Sequence, residues 1–417
     1  MTGTGLVSSE FFEDGPHADA EPEAPEPTCK ELAQNAIDSG IRRIDIVAWR
    51  DLDDPEAGGS ELHSHEIASR WAEAGLEVTF RTSAVPGMPE QIERCGYRVV
   101  RRHGRYAVFP AVAYAGLQSA SPSDALVEVW NGMPFFSPLW FRGPRMVFLH
   151  HVHAEMWRMV LPGWLASIGA SIESVAAPPL YRNSAIVTLS ESSKKEIVSM
   201  LRVPASNVTV VAPGVDAGFH VGGTRSDEPL VLAVGRLVPV KRFDILIEAL
   251  ALVKREIPQL RAVIIGEGYE RNRLESLSRK LGASSWLSLP GRVEQKDMRS
   301  WYQRAWVVAS TSLREGWGMT LTEAAACKTP AVATRIAGHL DAVVDGETGL
   351  LADGTHEFAA ATAKLLKDDA LRKRLGRDAH RRVRALTWDQ TARSTLAVLI
   401  EQRARRERAW RRIRSAS

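Results

Sequence analysis

Cysteine is scarce in this chain. Only Cys29, Cys95 and Cys327 occur in 417 residues, at no spacing that suggests a bridge or a ligand set. Free thiols in a reducing cytoplasm are the expectation. Long apolar runs are missing too. No uncharged stretch reaches the ~18 residues that a spanning helix needs, so a soluble or peripherally attached protein is expected. The start carries Glu10, Glu13 and Asp14 where a secretory leader would have its apolar segment. Excess charge is also missing: a net +3 implies no nucleic-acid partner by itself. No internal repeat of solenoid length is apparent. Gly266-Glu267-Gly268 runs on to Arg271 without the third glycine of a dinucleotide fingerprint.

What is there reads as a globular chain, with 45% hydrophobic and 25% charged residues. Its length implies more than one core. Residues 1–30, rich in Glu, Asp, Pro, Ala and Gly, read as a disordered acidic tail. From Ile41 on, short apolar runs alternate with amphipathic stretches. Ile44 to Trp49, Leu76 to Ser83, Ala125 to Trp130, Arg145 to Leu149 and Ala185 to Leu189 read as strands of a first half, 31–218. After the Gly-rich break Gly218 to Gly223, a second half, 219–386, restarts with strands Leu230 to Val234, Ala262 to Ile265, Trp286 to Leu289, Trp306 to Ala309 and Ala331 to Thr334. Two such series predict an α/β protein of two Rossmann-like, doubly wound domains facing each other across a cleft, with ligands at the carboxyl ends of the strands. The last segment, 387–417, reads as a helix crossing back to the first domain.

One stretch concentrates the chemistry: Arg314-Glu315-Gly316-Trp317-Gly318-Met319-Thr320-Leu321-Thr322-Glu323. A strand leads into a glycine loop and then a helix, which aims free N–H groups at an anion on the loop. Glu315 falls in the loop and Glu323 in the helix, too far apart to share a proton or a metal, but suited to the two ends of an extended polar ligand. Two further loops sit where strands give way to helices. Gly58-Gly59 permits close approach of a phosphate, or simply a tight turn. Arg236 and Lys241, five apart in Gly235 to Lys241, form a diphosphate clamp, or lie as solvated surface cations.

These residues carry a resemblance. Gly235-Arg236-Leu237 with Lys241, Ile265-Gly266-Glu267-Gly268, Gly291-Arg292-Val293, the Glu315/Glu323 pair, and Asp345-Gly346-Glu347-Thr348-Gly349-Leu350-Leu351 follow one another in the order found in glycosyltransferase family 4, as do Leu189-Ser190-Glu191-Ser192 and Pro213-Gly214-Val215-Asp216. Over roughly residues 44–390 the chain resembles these retaining enzymes of GT-B fold. The resemblance implies a nucleotide-diphosphate sugar (UDP- or GDP-sugar) as donor, an acceptor left open among saccharide, lipid-linked and small molecules, and no metal or other cofactor. It implies that Arg236 and Lys241 bind the diphosphate and that Glu323 accepts the ribose hydroxyls. Glu315 would face the transferred sugar, with the backbone of Gly316, Trp317, Gly318 and Met319 nearby. Arg292 and Val293 would hold the base, Gly59 and Gly266 would approach the donor, and His150 would stand near the sugar. Trp317 replaces a usual Phe, and His151 and His153 beside His150 leave the choice of histidine open.

Other features have plainer readings. Asp51-Leu52-Asp53 spells an acidic pair that could hold a metal, but ahead of the glycine loop it reads as solvated loop. His63 and His65, two apart on a helix, face different ways. The three histidines from His150 to His153 lack a fourth zinc ligand. Trp130, Trp140, Trp157 and Trp164 are expected mainly in the core. The arginines from Arg403 to Arg414, around Trp410 and Ile413, suit either an anionic membrane face or packing on the first domain. An epimerase or phosphorylase on the same fold, or a non-catalytic sugar-nucleotide-binding module, remain alternatives to a transferase.

Overall fold

The computed structural model describes residues 26–118 and 123–416; most of the expected acidic tail, residues 1–25, lies outside them. Order begins earlier than residue 31. Helix Cys29–Asp38 is closed by a capping box in which Thr28 and Glu31 satisfy each other's backbone N–H groups.

Two sheets follow. The first contains β1 (Arg43–Val47), β2 (Glu77–Thr82), β3 (Gln91–Arg94), β4 (Tyr97–Arg101), β5 (Ala125–Val129), β6 (Arg145–Phe148), β7 (Ala185–Thr188) and β8 (Val208–Val210). Their spatial order is β3-β4-β2-β1-β5-β6-β7-β8. All pairings are parallel except β3 with β4. That hairpin, absent from the pattern reading, turns on Cys95 and Gly96, both at positive φ. Such a turn suits tight hairpins, but cysteine is not the residue that advertises it.

The second sheet contains β9 (Leu230–Val234), β10 (Arg261–Ile265), β11 (Leu287–Gly291), β12 (Val307–Ser310), β13 (Ala331–Thr334) and β14 (Gly349–Ala352), ordered β11-β10-β9-β12-β13-β14 and wholly parallel. In each sheet the winding reverses beside the first strand, between β1 and β5 and between β9 and β12. Loops leaving these strands are where an open α/β sheet collects ligands. Those after β1, β9 and β12 carry Gly59, Arg236 with Lys241, and Glu315.

Apolar faces of the strands supply the cores: Ile44, Ile46, Phe80, Val127 and Phe148 in the first domain, Val231, Ile264, Val307 and Val332 in the second. The final helix, Trp388–Ala416, leaves the second domain and buries Ala392, Leu396 and Leu399 in the first core. Each fully buried leucine there contributes roughly 1.5–3 kcal/mol. Trp71 Nε1 adds a 2.9 Å bond to the carbonyl of Ala392. At the crossing, a Cβ on Gly214 would stand 2.2 Å from the backbone nitrogen of Trp388, so only glycine lets the two segments pass. No helix among the described residues is long and apolar enough to cross a membrane.

Candidate active site

The loop after β12 is tied to the loop after β9. Thr311 Oγ1 donates to the carbonyls of Lys241 (3.1 Å) and Arg242 (2.9 Å). The Glu315 carboxylate accepts from Lys241 Nζ, and from Ser312 Oγ at 2.7 Å. Burial alone would raise the Glu315 carboxyl, but Lys241, with His339 and Ser312, outweighs it and holds it down to about 2. Trp317 is 6% exposed and packs among Leu321, Ala333 and Ala342. It is a core anchor for the loop. Gly318, at φ 102°, opens helix Met319–Ala326.

That helix has 8 residues, so Glu323 lies only just past its first turn. Its environment is the reverse of Glu315's. Burial lifts its carboxyl to about 7, against the pull of a 2.6 Å bond from Tyr302 Oη, and Asp216 pushes the same way as burial.

The first domain closes directly on these loops. A Cβ on Gly59 would be 3.2 Å from Met319 Sδ, and one on Gly58 3.4 Å from Arg236 Nε. Glu61 caps that loop, accepting from Gly58 N at 2.8 Å and Arg50 Nε at 3.2 Å. A Cβ on Gly316 would fall 2.6 Å from the carbonyl oxygen of His150. Arg292 reaches across to the carbonyl of Pro55 at 2.8 Å. Val293 packs against the second core. A Cβ on Gly266 would meet the carbonyl of Gly235 at 1.9 Å, so protein backbone already accounts for that glycine. The structure thus gathers Gly59, Arg236, Lys241, Glu315, Gly316 and Met319 at one seam, with Glu323 a turn deeper.

The histidines separate. His150 Nε2 lies 3.2 Å from His63 Nδ1, and the two rings meet edge to face at 4.9 Å between centroids. This buried pair faces Phe148 and Trp388. His151 instead stands in the field of Glu315, Arg314, Lys241 and Arg236, with burial holding it neutral down to about 4. Its ring stacks on His153, 5.2 Å apart and 13° from parallel. Of these three histidines, His151 is therefore the one that the Glu315 charge reaches, and no local pattern in three closely spaced histidines distinguishes it.

Asp51 and Asp53 do not form a solvated loop. Asp51 is fully buried, bonded to Arg101 Nε (2.6 Å) and Arg94 Nη1 (2.8 Å), with His65 Nε2 3.1 Å away. Asp53 takes Arg94 at 2.7 Å and also Arg101. Burial would raise the Asp51 carboxyl, but His65 and Arg94 hold it well below the usual range. The β3–β4 hairpin supplies both arginines, 43 and 50 positions from Asp51. Among the described residues, no group of three or more His, Cys, Asp or Glu could hold a metal ion.

Several contacts across the seam had no sequence signal. Asp341 of the second domain accepts from the backbone N–H groups of Glu191 (3.0 Å) and Ser192 (3.2 Å), capping helix Glu191–Leu201 of the first. Ser190 Oγ donates to the carbonyl of Gly316 at 3.0 Å. Arg314 pairs with Glu155 and Glu196 at 3.1 and 2.8 Å.

Comparison with known proteins agrees with this geometry. Residues 57–219 match the family model described as Glycosyltransferase Family 4, and residues 217–382 the one described as Glycosyl transferases group 1. The D-inositol 3-phosphate glycosyltransferase of Kineococcus radiotolerans is 30% identical, over 85% of this chain and 92% of that protein. The enzyme of the same name from Kribbella flavida is 27% identical, over 87% and 96%. Among solved structures, sucrose-phosphate synthase from Thermosynechococcus elongatus superposes with TM-score 0.72 at 20% identity, over 90% of this chain and all of that one. Anabaena HepE in complex with UDP-glucose superposes with TM-score 0.68 at 17% identity, over 86% and 99%. With both domains matched and a relative covered almost end to end, the chain belongs to glycosyltransferase family 4: it is a retaining, nucleotide-sugar-dependent glycosyltransferase of GT-B fold.

Proposed function

We propose that the chain transfers a hexose from UDP-sugar or GDP-sugar to an acceptor hydroxyl, with Arg236 and Lys241 on the diphosphate, Glu323 on the ribose and Glu315 facing the sugar. The observation that carries this reading is the Lys241–Glu315 pair, set against Arg236 and Gly59 at the carboxyl ends of β9, β12 and β1. Breaking the anomeric C–O bond leaves the electron pair on the diphosphate and positive charge on the sugar. Fixed cations and the N–H groups of Gly316 to Met319 stabilise the first, and the ionised Glu315 the second. The acceptor oxygen bonds to the anomeric carbon from the face the phosphate leaves, and its proton passes to the departing phosphate oxygen. Configuration is then retained.

No metal is needed in this scheme. Side-chain cations supply the charge, and the Asp51/Asp53 pair is already taken up by Arg94 and Arg101. The solved HepE complex makes UDP-glucose the first donor to try, and the curated relatives make D-inositol 3-phosphate the first acceptor. Thermal stabilisation by a panel of UDP- and GDP-sugars tests the donor; ligand at 100 times its Kd adds ~2.7 kcal/mol. Activity should survive EDTA. Loss restored by Mg²⁺ or Mn²⁺ would overturn the metal-free scheme, and no response to any nucleoside diphosphate would overturn the reading itself.

We also propose that the Arg-rich end of the last helix rests on an anionic membrane. Trp410 and Ile413 are 63% and 69% exposed among the arginines from Arg403 to Arg414. Vesicles containing phosphatidylglycerol should sediment the protein in a salt-sensitive way. Equal binding to neutral vesicles, or none to either, would refute this.

A further inference from the structure

The helix after the histidine loop contains an irregularity that the transfer scheme leaves unused. Helices Gly163–Ser171 and Ala177–Tyr181 are joined by a single π-helical turn, Ile172–Ala176. Such turns recur at functional sites. Here the turn carries Glu173, 1% exposed.

No cation pairs with Glu173 among the described residues. Its carboxylate is satisfied by three N–H donors from one loop: His153 N at 2.8 Å, Ala154 N at 3.1 Å and Trp157 Nε1 at 3.0 Å. A buried carboxylate held this way is expensive to place. What it stabilises is a strained turn. Ala154 sits at φ 45°, a left-handed conformation that strains a residue with a β-carbon. The turn folds the His153 ring back onto His151 and against Gly132, where a Cβ would stand 3.0 Å from the imidazole. Trp157 closes the other side, 5.4 Å from His153. His151 Nε2 and His153 Nδ1 are both buried with no protein partner. Two neutral imidazoles, each with an unused ring nitrogen, thus stand in the field of Arg314, and His151 also in that of Glu315.

We propose that Glu173 is a positioning residue for transfer: it locks the His153–Ala154 backbone so that the stacked His151/His153 pair presents its free nitrogens to hydroxyls of the sugar or acceptor. This rests on the donor-site reading above. It is separable from that reading because the loop can be observed without substrate.

Glu128 provides the control. It is also fully buried, and accepts from Phe135 N (2.6 Å), Ser137 N (3.3 Å) and Tyr181 Oη (2.6 Å). Its loop packs on helix Val108–Gln118 through Phe135 and Phe141. The two glutamates therefore share chemistry but not destination.

Glu173→Gln and Glu128→Gln would be compared with wild type. Both should lower Tm, because an amide cannot accept as the carboxylate does. Only Glu173→Gln should lower kcat, by up to about a hundredfold for a reacting group displaced by an ångström, with nucleoside-diphosphate affinity unchanged. Trp157→Phe, which removes one donor of the three, should shift kcat less and in the same direction, and it serves if Glu173→Gln does not fold. NMR titration reads the loop directly. The wild-type imidazole of His151 should stay neutral down to about 4, whereas in Glu173→Gln or Trp157→Phe the loosened ring should titrate nearer the ordinary 6.5. Unchanged His151 titration would overturn the proposal even if no donor is found. Equal kcat losses in the Glu173 and Glu128 variants would overturn it as well. If wild type binds no nucleoside diphosphate while Glu173→Gln still shifts the His151 titration, the donor-site reading falls and the hold of Glu173 on the histidine loop stands.

Discussion

Glu315 and Glu323 leave the same loop-to-helix segment, and burial pushes both carboxyls upward. One is nevertheless held down to about 2 and the other lifted to about 7. The difference is the partner. Glu315 meets the ammonium of Lys241, a full charge; Glu323 meets the phenol of Tyr302, a neutral donor, with Asp216 adding repulsion. A charged partner in a low-dielectric site outweighs desolvation, and a single neutral hydrogen bond does not. Sequence spacing alone separates the two acids in position but not in charge. The fold makes one a permanent anion, suited to charge that develops during reaction, and the other a group poised to titrate, suited to a ligand that brings its own hydroxyl donors.

The largest effect expected from this contrast is on turnover. Glu315→Gln removes the permanent anion that we propose faces the sugar and should lower kcat by roughly 10²–10³, while a bare nucleoside diphosphate binds nearly as before. Lys241→Ala should be comparably severe. It removes a cation proposed for the diphosphate and also leaves Glu315 buried without its main counter-charge. Steady-state kinetics with separately measured nucleoside-diphosphate affinity checks both. If Glu315→Gln lost diphosphate binding and kept kcat, the two acids would have exchanged roles.

How far such contrasts can be read from sequence depends on how local they are. The second-domain loops were legible because strand, glycine turn and helix follow each other within a dozen residues, and Arg236, Lys241, Glu315 and Glu323 mark them by type. The first domain was not. The fate of Asp51 depends on Arg94 and Arg101, which arrive on a hairpin with a Cys-Gly turn. Ser192 and Asp341 meet across a separation of 149 residues. The backbone of His153 and Ala154 is held by Glu173 on a π turn, about twenty residues on. Nothing in the local pattern encodes such partners; only packing brings them together.

A smaller effect concerns Glu323. Interactions made equally in ground and transition states set affinity more than rate. Glu323→Gln keeps the shape and one acceptor oxygen but loses the ionisable carboxylate. Donor KM should rise about tenfold, in line with the ~1.5–3 kcal/mol of a hydrogen bond to a charged group, with kcat nearly intact. A kcat loss matching that of Glu315→Gln would erase the contrast between the two residues.

The smallest effect is the pH dependence, and its stability arm tests the electrostatics without assigning any substrate atom. The folded pKa of Glu323 is raised from 4.5 to about 7, so the fold binds this proton more tightly than the unfolded chain does. Its contribution to stability is present below 4.5 and is lost as pH rises through about 7. Glu315 has the opposite sign. With a folded pKa lowered from 4.5 to about 2, its contribution is present above 4.5 and lost as pH falls through about 2. Between pH 5 and 8 only Glu323 of this pair titrates, so Glu323→Gln should gain in Tm relative to wild type as pH climbs, whereas the gap between Glu315→Gln and wild type should stay flat. Nucleotide binding should follow the same proton. Ribose hydroxyls donate best to the ionised carboxylate, so wild-type affinity should increase with pH up to about 7 and level off, and that slope should vanish in Glu323→Gln. Tyr302→Phe sharpens the test: without the phenol, nothing offsets desolvation at Glu323, and the inflection should move to higher pH. A wild-type affinity flat from pH 5 to 8 would mean that Glu323 is already ionised and that the two acids are electrostatically alike, and an inflection that Tyr302→Phe moves downward would mean that the phenol does not offset burial at Glu323.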